Sequence, residues 1–174
     1  MHTYQYIHPK EIESTEEVPI TNEAGEVVAI SKRVYDNILK EKMDIMFDFR
    51  YFLKYNIYNP TGDLLFTVKK ISRRGRLWFE GQDAKSNTKY IISYENWRLG
   101  VPELYITDGN IKIQLNKEME DWSQFLFNNE VIAQWKADYI NDQFHMTLTI
   151  NEKSPIQNVA VFVGICQATL FVGA

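Results

Sequence analysis

The sequence is poor in the residues that most catalytic and metal sites require. It has one cysteine, Cys166, and three histidines, His2, His8 and His145, in 174 residues. A single cysteine cannot form a disulfide within the chain, and Cys166 lies in an apolar stretch where we expect a buried, unreactive thiol. The histidines show no metal-ligand spacing with one another or with Cys166. We therefore expect no metal and no other cofactor.

Other signatures of enzymes are missing as well. The eight glycines are scattered singly, so no glycine-rich phosphate loop is present. There is no nucleophile-elbow motif beside a serine or cysteine, and no EF-hand spacing of Asp, Asn and Gly with a closing Glu. The sequence predicts a protein that is not an enzyme.

Charge and length restrict the class of protein further. A net charge of −4 argues against nucleic-acid binding, which uses an excess of Lys and Arg on one face. The first residues lack the basic and apolar regions of a secretory signal, which favours the cytoplasm. A chain of this length can form one core, and we expect a single domain over residues 1–174.

From residue 55 onward, apolar residues alternate over short runs that are separated by turn residues. Residues 55–58 and 64–68 flank the turn Asn59-Pro60-Thr61-Gly62, and similar pairs flank residues 108–110 and 128–129. Val131, Ala133 and Trp135 are expected to share one buried face. A period of two with polar residues between predicts antiparallel strands with one buried face.

The N-terminal third is less regular. Residues 17–20 and 26–30 suit strands on either side of a turn at residues 23–25. Tyr35, Leu39, Met43 and Met46 recur at helical spacing, which predicts a surface helix that covers part of the sheet with these side chains.

The C-terminal segment departs from the strand pattern. Residues 154–174 contain no charged side chain, and Ser154-Pro155-Ile156-Gln157 combines an N-cap residue, a proline at the first helical position and a capping-box glutamine. We predict a helix over residues 155–172, enclosed because it is apolar on every side. The alternative is a buried strand, because residues 159–165 are rich in β-branched side chains.

Together, the strand-turn-strand of residues 55–68, the repeated hairpins, the early strand at residues 17–20 and the apolar terminal helix at residues 155–172 resemble the bacterial Tubby C-terminal-like family. That family is similar in fold to the Tubby domain, the phospholipid scramblases and the plant LURP-one-related proteins. The resemblance covers nearly the whole chain. It implies a closed antiparallel barrel of about twelve strands around a buried C-terminal helix.

The resemblance does not identify a binding residue in this sequence. Tubby domains bind phosphatidylinositol bisphosphate through basic residues, and scramblases act on membrane phospholipid with calcium. No motif of this sequence matches either site residue by residue, and one fold hosts unrelated activities.

One local feature stands out from an acidic sequence. Lys69, Lys70, Arg73, Arg74 and Arg76 lie within eight residues at the predicted junction of two strands. They predict a contact for anionic lipid headgroups or for an acidic partner. Alternatively, the charges keep a hairpin tip soluble and protect its edges from aggregation. The nearby Trp78 suits an interfacial anchor or, more commonly, a cross-strand aromatic pair.

We therefore expect a non-catalytic binding or interaction module in the cytoplasm, at or near the inner face of the membrane. Two alternatives belong to other classes. A barrel can carry a small apolar ligand in its lumen if the terminal helix lies outside. The other alternative is a tail-anchored membrane protein. As a helix, residues 159–173 would be only about 22 Å long, which is shorter than the hydrocarbon core of a bilayer at about 30 Å.

Overall fold

The computed structural model describes residues 1–98, 101–118 and 121–172, with the backbone alone at 96–98 and 101–102. The strands of the described residues are β1 (His2–Ile7), β2 (Glu17–Asn22), β3 (Val27–Arg33), β4 (Lys54–Tyr58), β5 (Leu64–Arg73), β6 (Arg76–Asp83), β7 (Lys89–Arg98), β8 (Val101–Thr107), β9 (Lys112–Asn116), β10 (Ser123–Phe127), β11 (Glu130–Ile140) and β12 (Gln143–Ile150). The helices are α1 (Ile38–Asp44), which continues into a 3-10 turn (Ile45–Phe47), and α2 (Val159–Thr169).

The strands form one closed antiparallel barrel in which each strand pairs with its neighbours in sequence. Closure is made by β1 and β12, whose register runs from His2 opposite Ile150 to Ile7 opposite His145. A closed barrel leaves no strand edge exposed to other chains. The predicted mainly-β class and twelve-stranded barrel are confirmed.

Period-two alternation turns one side of each strand into the core. Tyr55, Ile57, Phe66 and Val68 of β4 and β5 are buried, as the hairpin pattern predicts. The prediction for β11 is wrong at one position. A bulge opposite β10 shifts the register, so that Val131 lies outside while Ala133 and Trp135 are buried.

The interior of the barrel is filled by α2. All residues from Ala160 to Thr169 are buried, including Cys166 and Gln167, so the helix has no solvent-facing stripe. The contact with the wall is close: a Cβ on Gly164 would lie 2.6 Å from Cδ1 of Phe66. The helix occupies the lumen that the carrier alternative would need for its ligand.

The predicted start of this helix is wrong by four residues. Asn158, and not Ser154, caps α2, and its side-chain oxygen accepts a hydrogen bond from the Ala160 amide at 3.0 Å. Ser154 instead closes a turn by accepting from the Ile156 amide and donating to the Ile156 carbonyl. The helix is therefore Val159–Thr169, shorter at both ends than the predicted 155–172. In the described parts of the chain, neither helix reaches the length and apolarity that crossing a bilayer requires.

The C-terminus of α2 is closed by a buried lysine that comes from the segment after β9. The ammonium of Lys117 donates to the carbonyls of Thr169 at 2.6 Å, Leu170 at 2.5 Å and Val172 at 2.5 Å. The carbonyls of Thr169 and Leu170 belong to the last residue and the C-cap of α2, where main-chain carbonyls lack partners within the helix and carry its negative dipole end, and the Val172 carbonyl follows just beyond. Burial lowers the pKa of Lys117 to about 7.

His8 is buried beside the same end of α2, where its ring meets Phe171 edge-on at 5.9 Å and its Nδ1 donates to the Pro9 carbonyl at 2.7 Å. Burial lowers the pKa of His8 below its usual 6.5, so the unfolded chain takes up this proton first. Stability is therefore lost as the pH falls below about 6.5, at up to about 1.4 kcal/mol per pH unit.

We expect His8→Phe, which keeps a ring but cannot titrate, to reduce the dependence of unfolding free energy on pH between 6.5 and 5.5, below the pKa of Lys117. Urea denaturation at a series of pH values measures it. Equal slopes for the wild type and the variant would contradict this assignment.

Candidate binding surface

The predicted basic cluster lies at the end of the barrel where the long connection between β3 and β4 also lies. We call residues 69–76 the basic turn and residues 38–51 the 38–51 segment. The two are joined directly, because the Lys70 ammonium donates to the Arg50 carbonyl at 2.6 Å. The Lys70 amide also donates to the carbonyl of Leu53, just after the segment, at 2.8 Å. This end of the barrel also contains the C-terminus of α2.

The structure divides the five predicted cations between two faces of the β5–β6 hairpin. Lys69 lies opposite Glu80, and Arg73 lies opposite Arg76, on the outward face. Lys70 faces the other way. It is half-buried over the end of the barrel, and its ammonium lies 6.0 Å from the centre of the Tyr51 ring.

Lys70 therefore differs in role from the other four. Desolvation lowers its pKa, and its hydrogen bond to the Arg50 carbonyl attaches the 38–51 segment to the barrel. Lys69 is partly neutralised by Glu80, whose carboxylate lies 3.8 Å from the ammonium. The free positive charge of the cluster is consequently concentrated at the three arginines.

Arg73, Arg74 and Arg76 are exposed at the tip of the hairpin. Within the described residues none of them forms an ion pair with a carboxylate. Arg73 and Arg76 are directly opposed across the strands, an arrangement in which like charges repel and destabilise the sheet.

The turn itself places Arg74 in an unfavourable conformation. Arg74 and Gly75 both have positive φ, 50° and 76°, as a two-residue type I′ hairpin turn requires. Glycine suits its position, but the first position favours Asn or Asp, and arginine there is uncommon. Residues 73–76 therefore contain two unfavourable features: Arg74 has a left-handed backbone conformation, and Arg73 lies opposite Arg76.

A shallow groove of about 380 Å³ continues from the basic turn along the outer wall of β4 to β7. Its cations are Lys54, Lys69 and Lys89, which come from three strands. Lys54 is paired with Asp36 at 2.7 Å, which reduces the charge available to an anion. The sequence did not indicate Lys54 and Lys89, because only the strand register brings them beside Lys69.

Trp78 lies on the outward face of β6, partly buried, and its indole donates to Glu80 at 3.1 Å. Its directly opposed cross-strand neighbours are Ile71 and Ser93, so the expected aromatic pair is not formed by the opposed residues that the structure describes. The side chain supports the sheet beside the basic turn.

The 38–51 segment is anchored by the carboxylate of Asp44, which is completely buried. Its Oδ2 accepts from Arg33 Nη2 at 2.6 Å and from the Tyr35 hydroxyl at 2.9 Å. Its Oδ1 accepts from the amides of Tyr51 and Phe52 at 3.1 and 3.0 Å. One carboxylate therefore connects the middle of the segment to Arg33 of β3 and to the main chain at the C-terminal end of the segment.

This anchoring reverses the predicted orientation of the surface helix. A helix is present, but Leu39, Met43 and Met46 are exposed instead of packing on the sheet, and the one buried residue of α1 is Asp44. The reason is that the Arg33–Asp44 pair requires Asp44 to face inward. The apolar side chains of the segment are consequently left in solvent.

The histidines and the cysteine are not brought together. Within residues 1–98, 101–118 and 121–172, no group of three His, Cys, Asp or Glu side chains is arranged to hold a metal ion. Cys166 lies in the core, where burial raises the pKa of its thiol well above the usual value. A thiol with a raised pKa is a poor nucleophile.

Comparison with known proteins agrees with the barrel and its central helix. The family model of the Tubby C-terminal like domain matches residues 4–172. Searches of the curated proteins and of the solved structures found no significant match.

Proposed function

This chain belongs to the Tubby C-terminal-like family, whose members are in general non-catalytic binding modules, and we propose that it binds anionic phospholipid at a membrane surface through its basic turn. The observation that carries the proposal is the exposed charge of Arg73, Arg74 and Arg76, which pair with no carboxylate in the described part of a chain that is acidic overall. The proposal includes no catalysis and locates the protein at the inner face of the membrane, where anionic lipids are concentrated.

The local costs of the turn favour a binding role over mere solubility. Alternating charges of both signs keep a hairpin tip soluble without opposing Arg73 to Arg76 or placing Arg74 at positive φ. Departures from local rules of this kind are expected where a site is selected for function. Guanidinium groups also suit phosphate, which they bind in a bidentate manner.

The affinity should be modest and sensitive to salt. Each basic residue near an anionic surface contributes about 1 kcal/mol, and the attraction decays over a Debye length of about 8 Å at physiological salt. Three arginines then supply about 3 kcal/mol, which corresponds to roughly a hundredfold in partition coefficient.

We expect the variant Arg73→Gln/Arg74→Asn/Arg76→Gln to lose roughly a hundredfold in binding to phosphatidylcholine vesicles that contain phosphatidylserine. The asparagine is chosen because it tolerates the left-handed conformation, so the turn is retained. Co-sedimentation at low salt measures the loss, and raising the salt should reduce wild-type binding towards that of the variant.

A matched control removes three cations from the opposite end of the barrel. The variant Lys85→Gln/Lys112→Gln/Lys153→Gln changes the net charge by the same amount and should bind like the wild type. Equal binding by the wild type and the arginine variant would overturn the proposal. Equal losses in both variants would mean that net charge, and not the basic turn, governs binding.

A further inference from the structure

We propose that the 38–51 segment inserts its apolar side chains into the lipid bilayer beside the basic turn. This inference rests on the proposed function, because it takes the occupant of the surface to be an anionic membrane. Insertion would add an apolar contribution to the electrostatic attraction between the basic turn and the membrane.

The segment concentrates the exposed apolar surface of the protein. Among the described residues it contributes seven of the fifteen exposed large hydrophobic side chains, with exposed fractions from 38% to 82%. They are Ile38, Leu39, Met43, Ile45, Met46, Phe47 and Tyr51. Clusters of this kind mark interaction sites, whereas single exposed apolar residues need no explanation.

Polar contacts hold the segment in place, and ring contacts among Phe47, Tyr51 and Phe52 add to them. The segment is fixed by the buried Arg33–Asp44 pair and by the amides of Tyr51 and Phe52 on the Asp44 carboxylate. Arg33 also donates to the Phe49 carbonyl at 2.8 Å. The polar network thus orders a short helix and turn, while Ile38, Leu39, Ile45 and Met46 each remain more than 60% exposed to water.

The shape of the surface favours a bilayer over a protein groove. Met46 is 82% exposed at the tip of the segment, which places it on a convex surface, and Phe47 stacks on Tyr51 at 4.8 Å behind it. Convex apolar side chains with an adjoining aromatic pair suit the headgroup and acyl boundary, which interfacial segments enter by about 5 to 10 Å.

Charge around the segment is complementary to an anionic surface. The carboxylate of Asp36 is neutralised by Lys40 at 2.5 Å and by Lys54 at 2.7 Å, and these contacts lower its pKa to about 2. The segment also carries the exposed Glu41 and Asp48, which the exposed Lys42 and the half-buried Arg50 balance in formal charge. The attachment through Lys70 holds the two surfaces side by side.

The test uses an environment-sensitive NBD fluorophore attached to Met46→Cys. The natural Cys166 is buried, and labelling of the wild type measures any reaction there. With phosphatidylserine-containing vesicles we expect the NBD emission to shift to the blue and to rise several-fold. The same label on Leu64→Cys, at the opposite end of the barrel, should not respond.

A second pair of measurements separates the inference from the proposed function. The variant Leu39→Ser/Met46→Ser should bind vesicles about tenfold more weakly at high salt, where the electrostatic contribution is screened. If the protein co-sedimented with vesicles but the label at position 46 did not respond, membrane binding would stand and insertion would be overturned. A failure of the intact protein to co-sediment would overturn both.

Discussion

Replacing Val163 with aspartate is expected to abolish the cooperative unfolding transition. Val163 is fully buried near the middle of α2, and the helix is enclosed on all sides by the barrel. An aspartate there has neither water nor a cation to compensate its desolvation. Because folded domains are stable by only about 5 to 15 kcal/mol, a cost of this class removes most of the stability.

The matched control is Val131→Asp, at a position that the β11 bulge places on the outer surface. We expect this variant to unfold cooperatively with a midpoint close to that of the wild type. Near-UV circular dichroism and thermal unfolding compare the two. A cooperative melt of Val163→Asp near the wild-type midpoint would show that α2 is not the core. Deleting residues 154–174 should have the same effect as the buried aspartate.

The second large effect is expected for Asp44→Asn, which should lower the free energy of unfolding by about 3 to 5 kcal/mol. The carboxylate accepts from Arg33, Tyr35 and two main-chain amides at 2.6 to 3.1 Å. The amide leaves the buried Arg33 charge without its partner and directs an NH₂ group at donors.

The control for this change is Asp48→Asn, an exposed position four residues away with φ of 52°. Asparagine tolerates that conformation, so the variant should match the wild type within about 0.5 kcal/mol. Urea denaturation measures both. If Asp44→Asn and Asp48→Asn proved equally mild, the 38–51 segment would not depend on the Arg33–Asp44 pair.

The antiparallel strands and the enclosed terminal helix could be predicted because both follow from local patterns, whereas closure into a twelve-stranded barrel was expected only from the resemblance to the Tubby C-terminal-like family. Alternation at residues 55–58, 64–68 and 111–115 requires one buried face, and 21 uncharged residues at the C-terminus require enclosure. The alternating pattern of β1 is weaker than that of the later strands, because only Tyr4 and Tyr6 alternate with polar residues over six positions. Its role as the closing strand depends on distant pairing with β12.

The start of α2 could not be read correctly because two local interactions compete at that point. Ser154 and Gln157 have the spacing of a capping box, yet Gln157 donates to the main-chain carbonyls of residues 151, 152 and 154 and completes a turn. Asn158 is an equally good N-cap. Only the wall of the barrel, which α2 must enter, decides between them.

The binding surface was only partly visible in the sequence. The clustering of Arg73, Arg74 and Arg76 was evident, but the inward direction of Lys70 follows from strand register. The predicted orientation of α1 was wrong because helical spacing favours burying Leu39 and Met43, whereas the buried ion pair with Arg33, which lies outside the helix on β3, places Asp44 inside. Long-range electrostatics overrode an amphipathic pattern.

The most direct test of the account is to locate the membrane-facing surface by NMR with a spin-labelled lipid in anionic nanodiscs. We predict paramagnetic broadening of the amide resonances of residues 38–51 and 72–77, with the turns at residues 22–26, 59–63 and 108–111 unaffected. Broadening confined to those opposite turns, or no broadening at any residue in the presence of anionic lipid, would contradict the account.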